Sequence, residues 1–223
     1  MVEGLESGEM ASIAPPQARP VTKKGEPVWE IAYLYPPQGE WHESEYLALD
    51  TNRLIEFDHG YLEFLPMPTI SHQFIVAYLY ELLNTFILQG KLGRVLFAPL
   101  RVRLWPKKYR EPDIVFLSTE RLEKLTGEYP NGADLVVEVV SGSDEDRERD
   151  LETKRKEYAL AGITEYWIID PENHQVTVLR LDGEQYAVHG EFRTGQQATS
   201  ASLDGFAVDV DALFAAADPK REQ

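Results

Sequence analysis

The chain has 223 residues, of which 43% are hydrophobic, 11% aromatic and 27% charged, so collagen-like, mucin-like and wholly disordered proteins are excluded. It contains no cysteine, so disulfides, thiolate metal sites and thiol nucleophiles are excluded, and any metal must bind oxygen or imidazole ligands. The formal net charge of −16 argues against a surface that binds nucleic acid indiscriminately, because such binding needs clustered lysine and arginine.

The first part of the chain is rich in proline. Residues 1–40 are predicted to form an N-terminal arm without regular structure. This segment has early acidic residues and no apolar run, so we expect no secretory signal, and no stretch is long enough to cross a membrane. We therefore expect a cytoplasmic protein. A short helix is predicted over 43–49, and a hairpin over strands 54–57 and 61–65.

The middle of the chain alternates helical and apolar patterns. Apolar residues recur every three or four positions from Ser71, an N-cap candidate, to Gln89, and predict a long helix that ends at Gly90. Strands are predicted over 94–97 and 100–105. The nearly all-apolar runs 114–117, 135–140 and 166–169 are typical of strands in the middle of a sheet. A second helix is predicted over 144–161, capped by Ser143 and ended by Gly162.

The last part of the chain predicts a second hairpin, over strands 176–181 and 185–189, joined by Asp182-Gly183. A closing strand and short helix follow in 206–214, and residues 215–223 are predicted to be a C-terminal tail. Together these patterns predict one α/β domain over residues 41–214. Its core is a mixed central sheet of five or more strands flanked by helices, with an extra β-hairpin.

Two carboxylates stand out because they lie in apolar strands. Asp113 lies in the run EPDIVF, directly before its apolar part, and Glu138 lies inside DLVVEVV. Burying a charge without a partner costs several kcal/mol, so such a group normally pairs with a cation, a base or a metal ion. An internal salt bridge and a functional site both remain open at this point.

A lysine lies on the apolar stripe of the second long helix. Leu151, Lys154, Tyr158 and Ala161 follow one another at spacings of three and four residues. Asp150 precedes Lys154 by one turn, so a lysine at the helix edge with its amine in solvent is one interpretation. The other is that Lys154 and the two strand carboxylates form a set suited to phosphodiester hydrolysis, with oxygens for Mg²⁺ and an ammonium for developing negative charge.

The order of these residues resembles the PD-(D/E)XK nuclease superfamily. The closer resemblance is to a large bacterial branch of restriction-endonuclease-like proteins, over residues 43 to 214. It is carried by Pro112-Asp113, the run DLVVEVVS from Asp134, Asp150-Leu151 with Lys154 and Tyr158, GITEYW from Gly162, and Asp170-Pro171. Glu56, four residues before Gly60, and His72 at the start of the long helix also follow the pattern of this branch.

The resemblance implies a restriction-endonuclease-like core and a metal-dependent DNA endonuclease. Asp113 and Glu138 would be catalytic residues and metal ligands, with the backbone carbonyl of Val139 and the carboxylate of Glu56 as further ligands. Lys154 would be the catalytic base or charge stabiliser, because Val140 stands where the wider superfamily has its lysine. The implied cofactor is Mg²⁺, with Mn²⁺ as the alternative, and the implied assembly is a homodimer acting on DNA.

Other residues are accessory candidates. His72 is either a neutral core histidine or a site residue, and Asp150 is a candidate partner of Lys154. Seven basic residues and no acid lie between Lys91 and Arg110. Within this stretch the candidate nucleic-acid contacts are Arg101, Arg103, Lys107 and Lys108, although the solvent face of a strand pair explains them equally well.

Two other functions remain alternatives. One is a catalytically silent module with the nuclease fold that binds a protein or nucleic-acid partner, which the net charge favours. The other is a metal-dependent hydrolase of a smaller phosphoester.

Overall fold

A computed structural model of the protein describes residues 23–24, 32, 34–51, 53–140 and 147–218. The chain forms two units, 1–37 and 38–223, and the strands of both larger sheets lie in the second. Most of the predicted N-terminal arm lies outside the described residues. So do Ser143 and the predicted start of its helix at 144–146, and the end of the predicted tail.

A six-stranded mixed sheet forms the centre, as predicted. Its order is β10-β9-β8-β7-β6-β3, in which β7 and β8 are parallel and the other neighbours antiparallel. The apolar runs form the central strands because both of their faces are covered. The strands are β3 (Gly93–Phe97), β6 (Ile114–Ser118), β7 (Leu135–Val139), β8 (Glu165–Asp170), β9 (Gln175–Asp182) and β10 (Gln185–Arg193).

Helices cover both faces of this sheet. Helix α2 (Ile70–Gly90) packs on the face that carries Val137 and Trp167, whereas α4 (Lys154–Leu160) packs on the face that carries Val136 and Tyr166. Successive residues of a strand point to opposite faces, so β7 serves both cores. The α/β class predicted from the sequence is confirmed, and the extra hairpin is β9 with β10.

A second sheet of four antiparallel strands, in the order β2-β1-β5-β4, was not predicted. Its strands are β1 (Ile55–Asp58), β2 (Tyr61–Phe64), β4 (Val102–Trp105) and β5 (Lys108–Arg110). Strand β5 was missed because the chain turns back at Lys107, whose φ of 66° lies in the left-handed region. Helix α1 (Glu43–Leu47) packs on this sheet, where Tyr46 stacks on Phe57.

The remaining elements lie around the central sheet. Helix α3 (Thr119–Glu123) follows β6, while β11 (Gln197–Thr199) and β12 (Ala207–Asp209) pair with each other before α5 (Val210–Ala216). No helix in the described part of the chain combines the length and apolar character needed to cross a membrane.

Both long helices differ from the sequence prediction in detail. Helix α2 is capped by Thr69 rather than Ser71, and the Thr69 hydroxyl accepts a hydrogen bond from the His72 N–H at 3.2 Å. The second helix is not continuous, because a π-helical turn, Arg149–Thr153, precedes α4. The backbone N–H of Lys154 bonds to the carbonyl of Arg149, and Asp150 and Lys154 are both buried.

Candidate functional site

The three predicted catalytic residues border one small cavity of about 40 Å³, here called the site cavity. They reach it from the start of β6, from the middle of β7 and from the start of α4. The antiparallel pairing of β6 with β7 brings the first two elements together, with Ile114 opposite Val137. The lining residues are Leu54, Leu65, Pro66, Pro68, His72, Glu111, Asp113, Glu138, Val139, Arg149, Asp150 and Lys154.

Asp113 is held against β7 and α2. Its Oδ2 accepts a hydrogen bond of 2.8 Å from the backbone N–H of Val139, and Nε2 of His72 lies 3.2 Å from the same oxygen. These contacts fix one carboxylate oxygen beside the backbone of β7. His72 is therefore a neighbour of the predicted catalytic aspartate and lines the site cavity.

Burial by itself lowers the pKa of His72, but the hydrogen bond and charge of Asp113 outweigh burial and raise it above its usual value. Nδ1 of this ring is buried and has no hydrogen-bond partner among the residues that the structure describes. The ring therefore binds a proton more readily than a free imidazole does, and its Nε2 faces Asp113.

Lys154 is buried, with 2% of its side chain exposed, so the interpretation of a lysine at the helix edge with its amine in solvent is wrong. Its Nζ lies 2.9 Å from Oε1 of Glu138 and 3.1 Å from Oδ1 of Asp150. Oε1 of Glu56 is 3.7 Å away. Burial alone lowers the pKa of this amine, but the three carboxylates raise it well above its usual value. Lys154 is therefore an ammonium near neutral pH.

Glu138 has both a cation and a phenol as partners. Its Oε1 also accepts a hydrogen bond of 2.6 Å from the hydroxyl of Tyr158, one turn beyond Lys154. Burial raises the pKa of Glu138 to about 8, even though Lys154 opposes the change. The internal salt bridge, one of the two interpretations of Glu138 from the sequence, is therefore present between Glu138 and Lys154. The phenol of Tyr158 was missed as a site group because its place on the apolar stripe indicated only a core aromatic.

Glu56 does not line the site cavity. Its carboxylate accepts hydrogen bonds from Nη1 of Arg110 and, at 3.1 Å, from the backbone N–H of Glu111. Burial would raise the pKa of Glu56, but Lys154 and Arg110 lower it to about 2. We therefore withdraw Glu56 as a candidate metal ligand, because this carboxylate is occupied by cations behind the cavity.

Arg110 was missed by the sequence analysis. Its guanidinium contacts the carboxylates of Glu56, Glu63 and Glu157 and so joins the four-stranded sheet to α4. The signal was weak, because Arg110 lay in a basic stretch whose members looked alike. Arg110 is distinguished from the other basic residues of this stretch only by the carboxylates that it contacts in the structure.

The basic stretch is largely structural. Lys108 is 1% exposed and bonds to Asp58 and Glu157, and Arg101 lies 3.5 Å from Glu111 and over the ring of Tyr46. We withdraw both as nucleic-acid contacts, because their charges are used inside the protein. Arg103 pairs with Glu43 at 3.5 Å and Lys107 lies exposed in the β4–β5 turn, so these two remain predictions.

The donor set suits a hard divalent cation that keeps part of its water shell. Among the described residues, no three histidine, aspartate or glutamate side chains form a ready metal-binding group. Mg²⁺, however, is commonly held by one or two carboxylates and several waters. The site cavity is larger than one water needs and is lined by the carboxylate residues Asp113 and Glu138, which suit such an ion.

Comparisons with known proteins bear on the fold and the family of the chain. The chain resembles a crystal structure from Anabaena variabilis ATCC 29413, described as "a putative nuclease belonging to DUF820". The TM-score is 0.65 and the identity 20%, over 78% of this chain and 97% of the other, which shows a shared fold. A search of curated proteins found no match. The family model "Uma2: Putative restriction endonuclease" matches residues 43–211. Because this match covers most of the sequence, the chain belongs to the Uma2 family.

Proposed function

We propose that the protein is a divalent-metal-dependent nuclease that hydrolyses phosphodiester bonds, with DNA as its substrate. One observation carries the proposal: Asp113, Glu138 and Lys154, which lie far apart in the sequence, line the same ion-sized cavity. Family membership and the shared fold support it, although fold alone does not establish an activity.

Each residue has a distinct role in this proposal. Asp113 and Glu138, with the carbonyl of Val139, would hold Mg²⁺ or Mn²⁺, which would polarise the phosphate and activate a water molecule. Lys154 is an ammonium, so we assign it to stabilising negative charge on the phosphate and not to accepting a proton. Asp150 and Glu56 orient its amine, and Tyr158 orients Glu138.

Relaxation of supercoiled plasmid in Mg²⁺ or Mn²⁺ tests the proposal. We expect Asp113→Asn, Glu138→Gln and Lys154→Met each to lower the rate about a hundredfold or more, because each removes a ligand or a charge from the transition state. Lys156→Met is the matched control, since Lys156 lies on the same helix with 75% of its side chain exposed. Circular dichroism would establish that each variant is folded.

If the protein is instead a catalytically silent binding module, wild-type protein will not cleave the plasmid. This alternative is favoured because the cations near the site are paired with acids. Nucleic-acid binding without cleavage by wild-type protein in either metal would support this alternative. Equal cleavage by wild type and all three variants would contradict the proposed site.

A further inference from the structure

A second cavity, here called the apolar cavity, opens beside the site cavity. Its volume is about 340 Å³, against about 40 Å³ for the site cavity. The two share Pro66, Pro68, His72 and Val139 as walls. The smaller can hold an ion and water, whereas the larger falls in the range of about 300–1,000 Å³ typical of ligand sites.

The lining of this cavity is suited to the face of a planar, apolar group. Its apolar wall consists of Pro66, Met67, Pro68, Ile75, Val140 and Pro171. Met67 is 71% exposed, and the neighbouring Phe64 and Ile70 are also exposed. Thr69 and Ser71 add hydroxyl groups at the same cavity, which can bond to the polar edge of such a group.

Charge argues against binding by phosphate contacts alone. The described lining of the two cavities contains one arginine, Arg149, and one lysine, Lys154. Arg149 lies 3.2 Å from Glu63, and Lys154 is held by three carboxylates. Because the phosphates of a duplex and of a single strand alike gain little attraction from this face, contacts to the base must supply the binding. A single strand can offer an unpaired base to the walls of the apolar cavity, whereas a duplex cannot.

We infer that the apolar cavity binds an unpaired nucleotide next to the bond to be cut, so that the substrate is single-stranded nucleic acid. A base within a duplex is stacked and paired and cannot enter a cavity, whereas an unpaired base can lie against proline and methionine. The shared wall then places its phosphate at Asp113 and Lys154. This inference rests on the proposed function and adds the substrate class to it.

Fluorescence anisotropy with labelled single-stranded and duplex DNA of the same sequence, in Ca²⁺, tests the inference on the full-length protein. We expect the single strand to bind about tenfold more tightly or better. Met67→Asp should weaken single-strand binding about tenfold, because a carboxylate repels the strand and does not stack. Leu160→Asp is the matched control, since Leu160 is 64% exposed, lines a different cavity and should leave binding unchanged.

Any of three results would overturn the inference. The duplex binds as tightly as the single strand or more tightly, the single strand shows no detectable binding, or Met67→Asp leaves single-strand binding unchanged. Cleavage of plasmid and of single-stranded DNA in Mg²⁺ or Mn²⁺ decides the proposed function separately, because cleavage that depends on Asp113 can persist when Met67 has no effect. Sedimentation gives a further outcome. If Met67→Asp converts a dimer to a monomer, the apolar cavity belongs to an interface between two copies, and the inference fails.

Discussion

Buried charge at the candidate site is arranged as a chain of ion pairs. Lys154 contacts Glu138, Asp150 and Glu56, and Glu56 in turn contacts Arg110. Desolvating charges is costly, and attraction repays that cost only when the remaining hydrogen-bonding groups are also satisfied. Most of these groups are satisfied, which explains how so many charges lie beneath the site cavity.

Glu111 is a further carboxylate that lines the site cavity. It is buried, and within the described part of the chain its Oε2 has no hydrogen-bond partner. Burial raises its pKa to about 7, with a further contribution from Glu56, while Arg101 opposes the change. The folded protein therefore binds a proton at Glu111 more tightly than the unfolded chain does. The stabilising contribution is present below pH 4.5 and is lost as pH rises through 7.

Glu111→Gln removes this titration. We expect the variant to gain stability relative to wild type between about pH 5 and pH 8, by about 2 kcal/mol after allowance for solvent screening. Urea unfolding at both pH values measures the difference. Glu184→Gln controls for the loss of an exposed acid. A difference that does not change with pH would contradict this account of Glu111.

Strand β8 carries a carboxylate that ties the following loop to the sheet. Glu165 is fully buried, and it accepts hydrogen bonds from the indole of Trp167 at 2.5 Å, from both the N–H and hydroxyl of Ser202, and from the hydroxyl of Ser200. The loop before β12 is thereby fixed to a central strand. This structural role could not be predicted from the sequence, in which Glu165 is only one residue of the motif GITEYW.

Glu165→Ala should leave several buried donors unpaired. We expect it to lower the free energy of unfolding by about 3 kcal/mol. Chemical denaturation measures this loss, with Glu191→Ala, at an exposed position of β10, as the control. Equal stability of the two variants would mean that water replaces the carboxylate without cost.

Over the whole molecule, acids outnumber bases by 38 to 22. Excess charge of one sign repels itself and destabilises the compact state, whereas buried ion pairs are little affected by salt. We expect NaCl between about 0.1 and 0.5 M to raise the free energy of unfolding by about 1 kcal/mol, because the screening length becomes shorter. Urea titrations at fixed pH measure the effect. A lower free energy of unfolding at high salt would show that exposed ion pairs outweigh the repulsion.

The homodimer remains a prediction, for which sedimentation is the measurement.

The sequence alone determined the class of fold, the helices and central strands, and the identities of Asp113, Glu138 and Lys154 as unusual residues. Periodicity and the expense of a carboxylate in an apolar strand are local signals, so they can be read along the chain. Tertiary structure decided which charges meet. Lys108 and Arg101 resembled surface cations, and Glu56 resembled a metal ligand, until their partners were placed. An ion pair depends on distances between residues far apart in sequence, and those distances exist only after the sheets and helices pack.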